Sequence, residues 1–166
     1  KLADQEVELQ LTKGSVIVFS ERLVSQVINR CRTPSNNDIM CPSGTASLWG
    51  TTSEVVNEPN ATKVNPKEVQ ELLMGAEELF PNIKHYKSFR VWAGVRPLVK
   101  PKNYNKNMPL PRSHAVIDHQ EDGLKNFLTV CGGTLTTHRS MAADVVNQLG
   151  SKFGINTPCS SHIVPL

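Results

Sequence analysis

The first 53 or so residues of the chain carry short strand patterns separated by turn residues, and no helical pattern. One pattern alternates apolar and polar residues, as a half-buried strand does, and another is the continuous apolar run of a central strand. The predicted strands are 7–11, 16–19, 24–31 and 45–49, with a turn or alternatively a bulge at 12–15 and a turn at 34–38. Ile39-Met40-Cys41 then leads to a Pro-Ser-Gly turn before the last of these strands. Strands joined by such short turns form a meander, so this region is expected to fold into an antiparallel sheet.

A helix start follows in the sequence Asn65-Pro66-Lys67-Glu68, which supplies an N-cap, a proline at the first position and a glutamate at the third. Apolar residues then recur at helical spacing until Pro81. Further strands are predicted at 88–95, 114–117 and 127–130, a second helix at 137–153, and irregular chain at 100–111 and 156–166. The predicted fold class is therefore α+β, with a mostly antiparallel sheet covered by helices.

Composition excludes several classes of function. The net charge is only +3 and the basic residues are scattered, which argues against a nucleic-acid surface. The four cysteines and five histidines are dispersed, so no metal site is predicted, and the thiols are expected to be reduced and mostly buried. No apolar stretch approaches the length of a membrane span. Because the chain begins at Lys1 without a methionine, a fragment of a longer protein is expected.

Two segments suggest a binding site for anions. In the first, Arg96 stands between a flexible glycine and a rigid proline at the end of an apolar run. Its guanidinium offers a planar fork of donors suited to phosphate or carboxylate. In the second, Gly132 and Gly133 lie between a strand and a helix, where bare backbone amides attract anions. Together they predict a small anionic ligand beside a second anion, such as a dinucleotide cofactor.

The order of several motifs resembles one family across nearly the whole chain. The motifs are Lys13-Gly14-Ser15, Ser47-Leu48-Trp49-Gly50-Thr51-Thr52-Ser53, Gly94-Val95-Arg96-Pro97-Leu98, Asp118-His119 and Gly132-Gly133 followed by Leu135-Thr136-Thr137. The chain resembles the FAD-dependent glycerol-3-phosphate dehydrogenases, within the amino-acid-oxidase-like flavoproteins, and is most similar to the catalytic A subunits of the anaerobic type. Such enzymes open with a Gly-x-Gly-x-x-Gly unit that this sequence lacks. The resemblance therefore implies a substrate-binding domain at 1–118 and, at 119–166, a strand–helix segment that re-enters the FAD domain.

The resemblance implies oxidation of sn-glycerol 3-phosphate to dihydroxyacetone phosphate, with FAD as cofactor and electrons passed toward quinone. It also implies membrane-anchoring and electron-transfer partner subunits, and a cytoplasmic location on the inner face of the cell membrane. The isolated chain is expected to be inactive and not to retain FAD. Two alternatives stay open: a flavoenzyme acting on a 2-hydroxy acid or amino acid, and a non-catalytic ligand-binding module.

The resemblance also assigns roles to individual residues. Arg96, Arg112 and Thr136 are expected to bind substrate, with structural ion pairing as the alternative for Arg96. The residues expected to approach the flavin are Gly132, Gly133, Thr134, Leu135, Thr136 and Thr137. Relatives often carry a lysine at position 134 and a tyrosine at position 138. The catalytic base is unknown; His138 is a candidate, although packing on the first helical turn is the alternative. Lys13 is expected to be solvated in a turn.

Overall fold

The computed structural model describes residues 5–31, 38–101, 104, 110–155 and 157–164. The chain divides into two compact units, Leu11–Arg96 and a second unit formed by Lys1–Gln10 with Pro97–Leu166. These units do not coincide with the predicted division at residue 118, which stays a prediction. Residues 34–37 of the predicted turn and much of the predicted loop at 100–111 lie outside the described residues.

The unit Leu11–Arg96 is built on a six-stranded sheet. Its strands are β1 (Leu9–Phe19), β2 (Ile28–Asn29), β3 (Ile39–Ser43), β4 (Ala46–Gly50), β5 (Glu54–Val56) and β6 (Ser88–Val99). β2, β3 and β4 form the predicted antiparallel meander, and β1 pairs with β4 through its second half and with β5 through its first half. β6 also pairs with β1, which is therefore the central strand.

Four details of the sheet differ from the prediction, and one of them is β5, which was not predicted. The turn predicted at 12–15 is wrong, because β1 runs unbroken through it and its side chains there are buried. The strand predicted at 24–31 shrinks to the two residues of β2. β6 extends four residues beyond the predicted end at 95. In each case pairing with distant strands, rather than local propensity, sets the length of the element.

The predicted first helix is confirmed as α1 (Pro66–Glu77). Asn65 caps it, and Asn65 and Glu68 exchange hydrogen bonds of 2.9 Å, the reciprocal arrangement of a capping box. The apolar side of α1 covers one face of the sheet. The fully buried side chains of this core include Ile17, Phe19, Met40, Trp49 and Leu72. Burial of this apolar surface is the main stabilising contribution to the unit.

The other unit contains a hairpin of β7 (His114–Asp118) and β8 (Leu128–Gly132), followed by α2 (His138–Lys152). Both strands and the helix were predicted. His119 is buried in the hairpin turn, where its ring nitrogens contact Asp122 at 2.7 Å and Thr129 at 2.8 Å. The four cysteines are unpaired. Cys31 is exposed and the other three are only partly buried, contrary to the expectation of mostly buried thiols.

Within the described ranges, no helix has the length and apolar character needed to cross a membrane. Among the same residues, no group of three or more His, Cys, Asp or Glu side chains is arranged to hold a metal ion.

Candidate functional site

Arg96 is a half-buried residue of β6 whose guanidinium lies against the backbone of β1 at Gly14. A Cβ atom at Gly14 would overlap the guanidinium, so the absence of a side chain makes this approach possible. The guanidinium Nη2 donates a hydrogen bond of 2.8 Å to the Thr51 hydroxyl, just after β4. This contact uses one of the five N–H donors that a guanidinium carries. β1 and Thr51 thus fix one side of the Arg96 head group.

The residues on either side of Gly14 are tied to Glu68 in the first turn of α1. The Lys13 ammonium lies 2.9 Å from Glu68 Oε2, and the Ser15 hydroxyl donates a 2.6 Å hydrogen bond to Glu68 Oε1. The Thr52 hydroxyl also donates to Oε1, at 3.2 Å, and accepts a 2.9 Å bond from the Ser15 amide. A buried carboxylate is stable only when its oxygens are satisfied in this way.

The network also sets the charges of its ionisable groups. The hydrogen bond to Glu54 raises the pKa of Lys13 above its ordinary value against the effect of burial, and the charge of Glu68 adds to this rise. Burial by itself would raise the pKa of Glu68, but hydrogen bonds from Ser15, the Asn65 amide and Lys13 outweigh it and lower that pKa. Lys13 and Glu68 therefore form a charged, buried pair at neutral pH, and the expectation of a solvated Lys13 is wrong.

Gly132 and Gly133 lie at the end of β8 with φ angles of +73° and +75°, which residues with a side chain rarely adopt. A Cβ at Gly132 would come 2.6 Å from the Ser113 carbonyl oxygen, and one at Gly133 would come 2.5 Å from the Met141 sulfur. The backbone here is therefore bare because the fold requires it. The packing explains both glycines without a ligand.

Residues Leu135–Thr137 form a short 3₁₀ turn that leads into α2. Thr134 caps this turn: its amide donates to the Thr137 hydroxyl at 3.0 Å, and its own hydroxyl lies 3.0 Å from that of Thr136. All four residues are exposed, and the side chain of Leu135 is 88% exposed. The amides at the start of such a turn lack acceptors one turn earlier in the chain. The turn and the Thr136 side chain therefore lie on the exposed surface of the unit.

His138 is the first residue of α2, and its Nδ1 lies 2.7 Å from the Leu135 carbonyl oxygen. A carbonyl only accepts hydrogen bonds, so Nδ1 carries the proton. In the neutral ring Nε2 is then the basic nitrogen. The ring is exposed and packs on the first helical turn while keeping a nitrogen able to take a proton.

The predicted site residues are divided between the two units. Arg96 ends the unit Leu11–Arg96, whereas Arg112, the two glycines and 134–138 belong to the other unit. Arg112 is exposed, in the segment before β7. Within its unit the structure brings the glycines, the 3₁₀ turn and His138 together along one continuous stretch of chain.

Sequence reasoning did not identify the surroundings of Arg96. The segments 13–15 and 50–53 were recognised only as motifs, and Glu68 only as a helix cap. The signal was the combination of a glycine flanked by two polar residues with a capping glutamate. These side chains do not come together until β1, β4 and α1 have assembled.

Known proteins with similar sequences include A subunits of anaerobic glycerol-3-phosphate dehydrogenases. The chain is 38% identical over 162 residues to the A subunit from Escherichia coli K12, covering 96% of this chain and 30% of that protein. It is 35% identical over 167 residues to the A subunit from Haemophilus influenzae, covering 99% and 30%. The A1 subunit from Haloferax volcanii is 32% identical over 167 residues, covering 99% and 28%. The chain thus spans about 30% of the length of these relatives.

Solved structures share the fold. The glycerol-3-phosphate dehydrogenase from Bacillus halodurans, complexed with FAD, superimposes with a TM-score of 0.64 at 19% identity, covering 96% of this chain and 30% of that one. Glycine oxidase from Geobacillus kaustophilus gives 0.61 at 18% identity, covering 91% and 37%. The α+β class with mostly antiparallel sheets is confirmed. The family model for FAD dependent oxidoreductases matches residues 1–145. This chain belongs to the FAD dependent oxidoreductase family.

Proposed function

We propose that this chain is part of a flavoenzyme that oxidises sn-glycerol 3-phosphate to dihydroxyacetone phosphate. The observation that carries the proposal is the 32–38% identity to anaerobic glycerol-3-phosphate dehydrogenase A subunits over 96–99% of the chain. The setting of Arg96 supports it, because a guanidinium fixed on one side presents its donors in a defined direction.

Arg96 would bind the phosphate of the substrate. The contacts with Gly14 and Thr51 restrict the rotation of its head group, so less entropy is lost when an anion binds. Arg112 is proposed as a second substrate-binding residue. Two arginines suit a doubly charged phosphate better than a singly charged carboxylate.

The segment from Gly132 to His138 fits a flavin. The 3₁₀ turn lies on the surface, where its amides would be suited to an electron-rich ring edge. Gly132, Gly133 and Thr134–Thr137 would hold FAD, which when bound accepts the hydride from the substrate carbon. The Thr136 hydroxyl would orient the substrate, and His138 Nε2 would take the proton of its hydroxyl group.

The wider assembly is part of the proposal. The relatives are named as single subunits of the dehydrogenase, which implies that they act with others. By analogy, this protein would pass electrons to partner subunits that anchor it on the inner face of the cell membrane and lead to quinone. Residues 1–118 would form the substrate-binding domain, and residues 119–166 would complete the FAD domain.

One alternative keeps the flavin and changes the substrate. The fold is shared with glycine oxidase, and Thr134 stands where relatives often place a lysine. A carboxylate could therefore replace the phosphate at Arg96, which would make the enzyme an oxidoreductase of a 2-hydroxy acid or amino acid. The identity to glycerol-3-phosphate dehydrogenase subunits favours the phosphate.

Anaerobic bleaching of the flavin in the full-length protein distinguishes the two substrates. We expect sn-glycerol 3-phosphate to reduce the flavin rapidly, while 2-hydroxyglutarate and a panel of amino acids leave it oxidised. Bleaching by a carboxylate alone would replace the proposed substrate. A flavoprotein that none of these compounds reduces would favour a ligand-binding module.

A further inference from the structure

The Arg96 guanidinium contacts two segments of the unit Leu11–Arg96. Residues next to both contacts form hydrogen bonds or an ion pair with the carboxylate of Glu68. Gly14, which faces the guanidinium, lies between Lys13 and Ser15, and both of these contact Glu68. Thr51, which accepts the bond from Arg96, precedes Thr52, which also contacts Glu68.

The two carboxylate oxygens of Glu68 have different partners. Oε2 accepts from the Asn65 amide and pairs with Lys13, as the capping of α1 and the neutralisation of a buried charge require. Oε1 accepts from the hydroxyls of Ser15 and Thr52, at 2.6 and 3.2 Å. Helix capping needs only the first oxygen. The second joins the segment beneath Arg96 to the segment that accepts its hydrogen bond.

We propose that Glu68 is a positioning residue for Arg96: it fixes Gly14 and Thr51 relative to each other and thereby sets the direction of the guanidinium. The inference rests on the proposed function, since it assumes that Arg96 binds the anionic end of the substrate. Glu68 itself, with 6% of its side chain exposed, does not reach the ligand. Its effect is therefore on the affinity for the anion, through the geometry of Arg96.

The test uses the full-length protein and the variant Glu68→Gln, which keeps the shape but has one acceptor oxygen instead of two, so that it cannot accept from both sets of donors. We expect the KM for sn-glycerol 3-phosphate, and the Kd for inorganic phosphate measured by titration calorimetry, each to rise about tenfold. The Arg96→Ala variant gives the reference rise, about ten- to a hundredfold. If Glu68 acts through Arg96, the double variant will resemble Arg96→Ala rather than show the product of the two effects.

Two further variants keep the test decisive. Glu77→Gln, on the same helix but paired with Lys84 at the surface, is the matched control and should leave both constants unchanged. Ser15→Ala removes the 2.6 Å bond to Oε1 and preserves the ion pair of Glu68 with Lys13. It should raise both constants about threefold, and it decides the question if Glu68→Gln fails to fold.

The outcomes separate this inference from the proposed function. If Arg96→Ala raises both constants while Glu68→Gln and Ser15→Ala leave them unchanged, Glu68 does not position Arg96. Fully multiplicative effects in the double variant would also overturn the inference. If Arg96→Ala itself changes neither constant, the phosphate-binding role of Arg96 is wrong, and the positioning role is lost with it.

Discussion

At the scale of single residues, the setting of Arg96 depends on a missing side chain. Gly14 belongs to a regular strand, and it is the contact with the Arg96 guanidinium that requires a glycine there. The end of an arginine side chain moves easily, whereas the strand backbone does not. A larger residue at position 14 will therefore displace the guanidinium and leave the strand in place.

Gly14→Ala should separate binding from stability. We expect it to lower the free energy of unfolding by less than about 1 kcal/mol, because the flexible Arg96 side chain can move away. The KM for sn-glycerol 3-phosphate in the full-length protein should nevertheless rise about tenfold, since the bond to Thr51 is lost with the displacement. Steady-state kinetics and urea unfolding measure the two effects.

The matched control for this substitution is Gly44→Ala in the hairpin between β3 and β4. A Cβ there has no described atom within 4 Å, so the KM should stay unchanged. A Gly14→Ala variant that loses several kcal/mol of stability while keeping its KM would show that the strand, and not Arg96, absorbs the overlap.

At the scale of elements, local sequence patterns correctly predicted α1 but gave a wrong prediction of a turn within β1. The cap of α1 is complete within four residues, so the sequence Asn65-Pro66-Lys67-Glu68 specifies its start. Lys13 and Ser15 instead find their partners about fifty residues away, at Glu68. A polar tetrapeptide with a glycine is typical of a turn when those partners are unknown. The buried network and the environment of Arg96 were missed for the same reason.

The Lys13–Glu68 pair should make stability depend on pH. The pKa of Glu68 is lowered in the folded state, so its contribution is present above the ordinary value of 4.5 and is lost as the pH falls through the folded value. The pKa of Lys13 is raised, so its contribution is present below 10.5 and is lost as the pH rises through the folded value. Urea unfolding across the pH range measures the loss of stability at low pH and the loss at high pH.

Substituting Glu68 by Gln tests whether Glu68 causes the loss of stability at low pH. We expect the variant to lose about 1–3 kcal/mol at neutral pH, because buried Lys13 keeps Glu54 but loses the carboxylate of Glu68. Its stability should then fall less steeply than that of the wild type below the ordinary pKa of a glutamate. Glu77→Gln, a surface change on the same helix, should keep the wild-type profile. Parallel profiles for wild type and Glu68→Gln would contradict the assignment.

The junction between β8 and α2 gives a third prediction. A Cβ at Gly132 would meet the carbonyl of Ser113, which is backbone and cannot move aside, whereas Gly123 has a similar φ of +84° and open space. Both substitutions to alanine carry the cost of a left-handed residue, about 1–2 kcal/mol. Gly132→Ala should cost about 1–3 kcal/mol more, measured by urea unfolding. Equal losses would mean that conformation alone explains the glycine.

At the scale of the whole molecule, the sequence predicted the α+β class and the order of the elements well. Strand and helix patterns are local, and they specify β4, α1, β7, β8 and α2 without knowledge of the tertiary structure. The division into compact units was not evident, because β1 and β6 both run across its boundaries at residues 10–11 and 96–97. The sequence pattern of a strand does not indicate to which compact unit its residues belong.

The substrate class can be tested in the full-length protein by comparing two substrates that differ only in the phosphate. If Arg96 and Arg112 bind that group, Arg96→Ala should lower kcat/KM for sn-glycerol 3-phosphate by about ten- to a hundredfold and leave the weak activity toward glycerol unchanged. Arg112→Ala should act in the same direction. The comparison corrects for general damage to the enzyme, because a variant that disturbs the fold loses activity toward both substrates equally. Such an equal loss would give Arg96 a structural role, and selective loss with phosphate would identify it as the residue that recognises the anion.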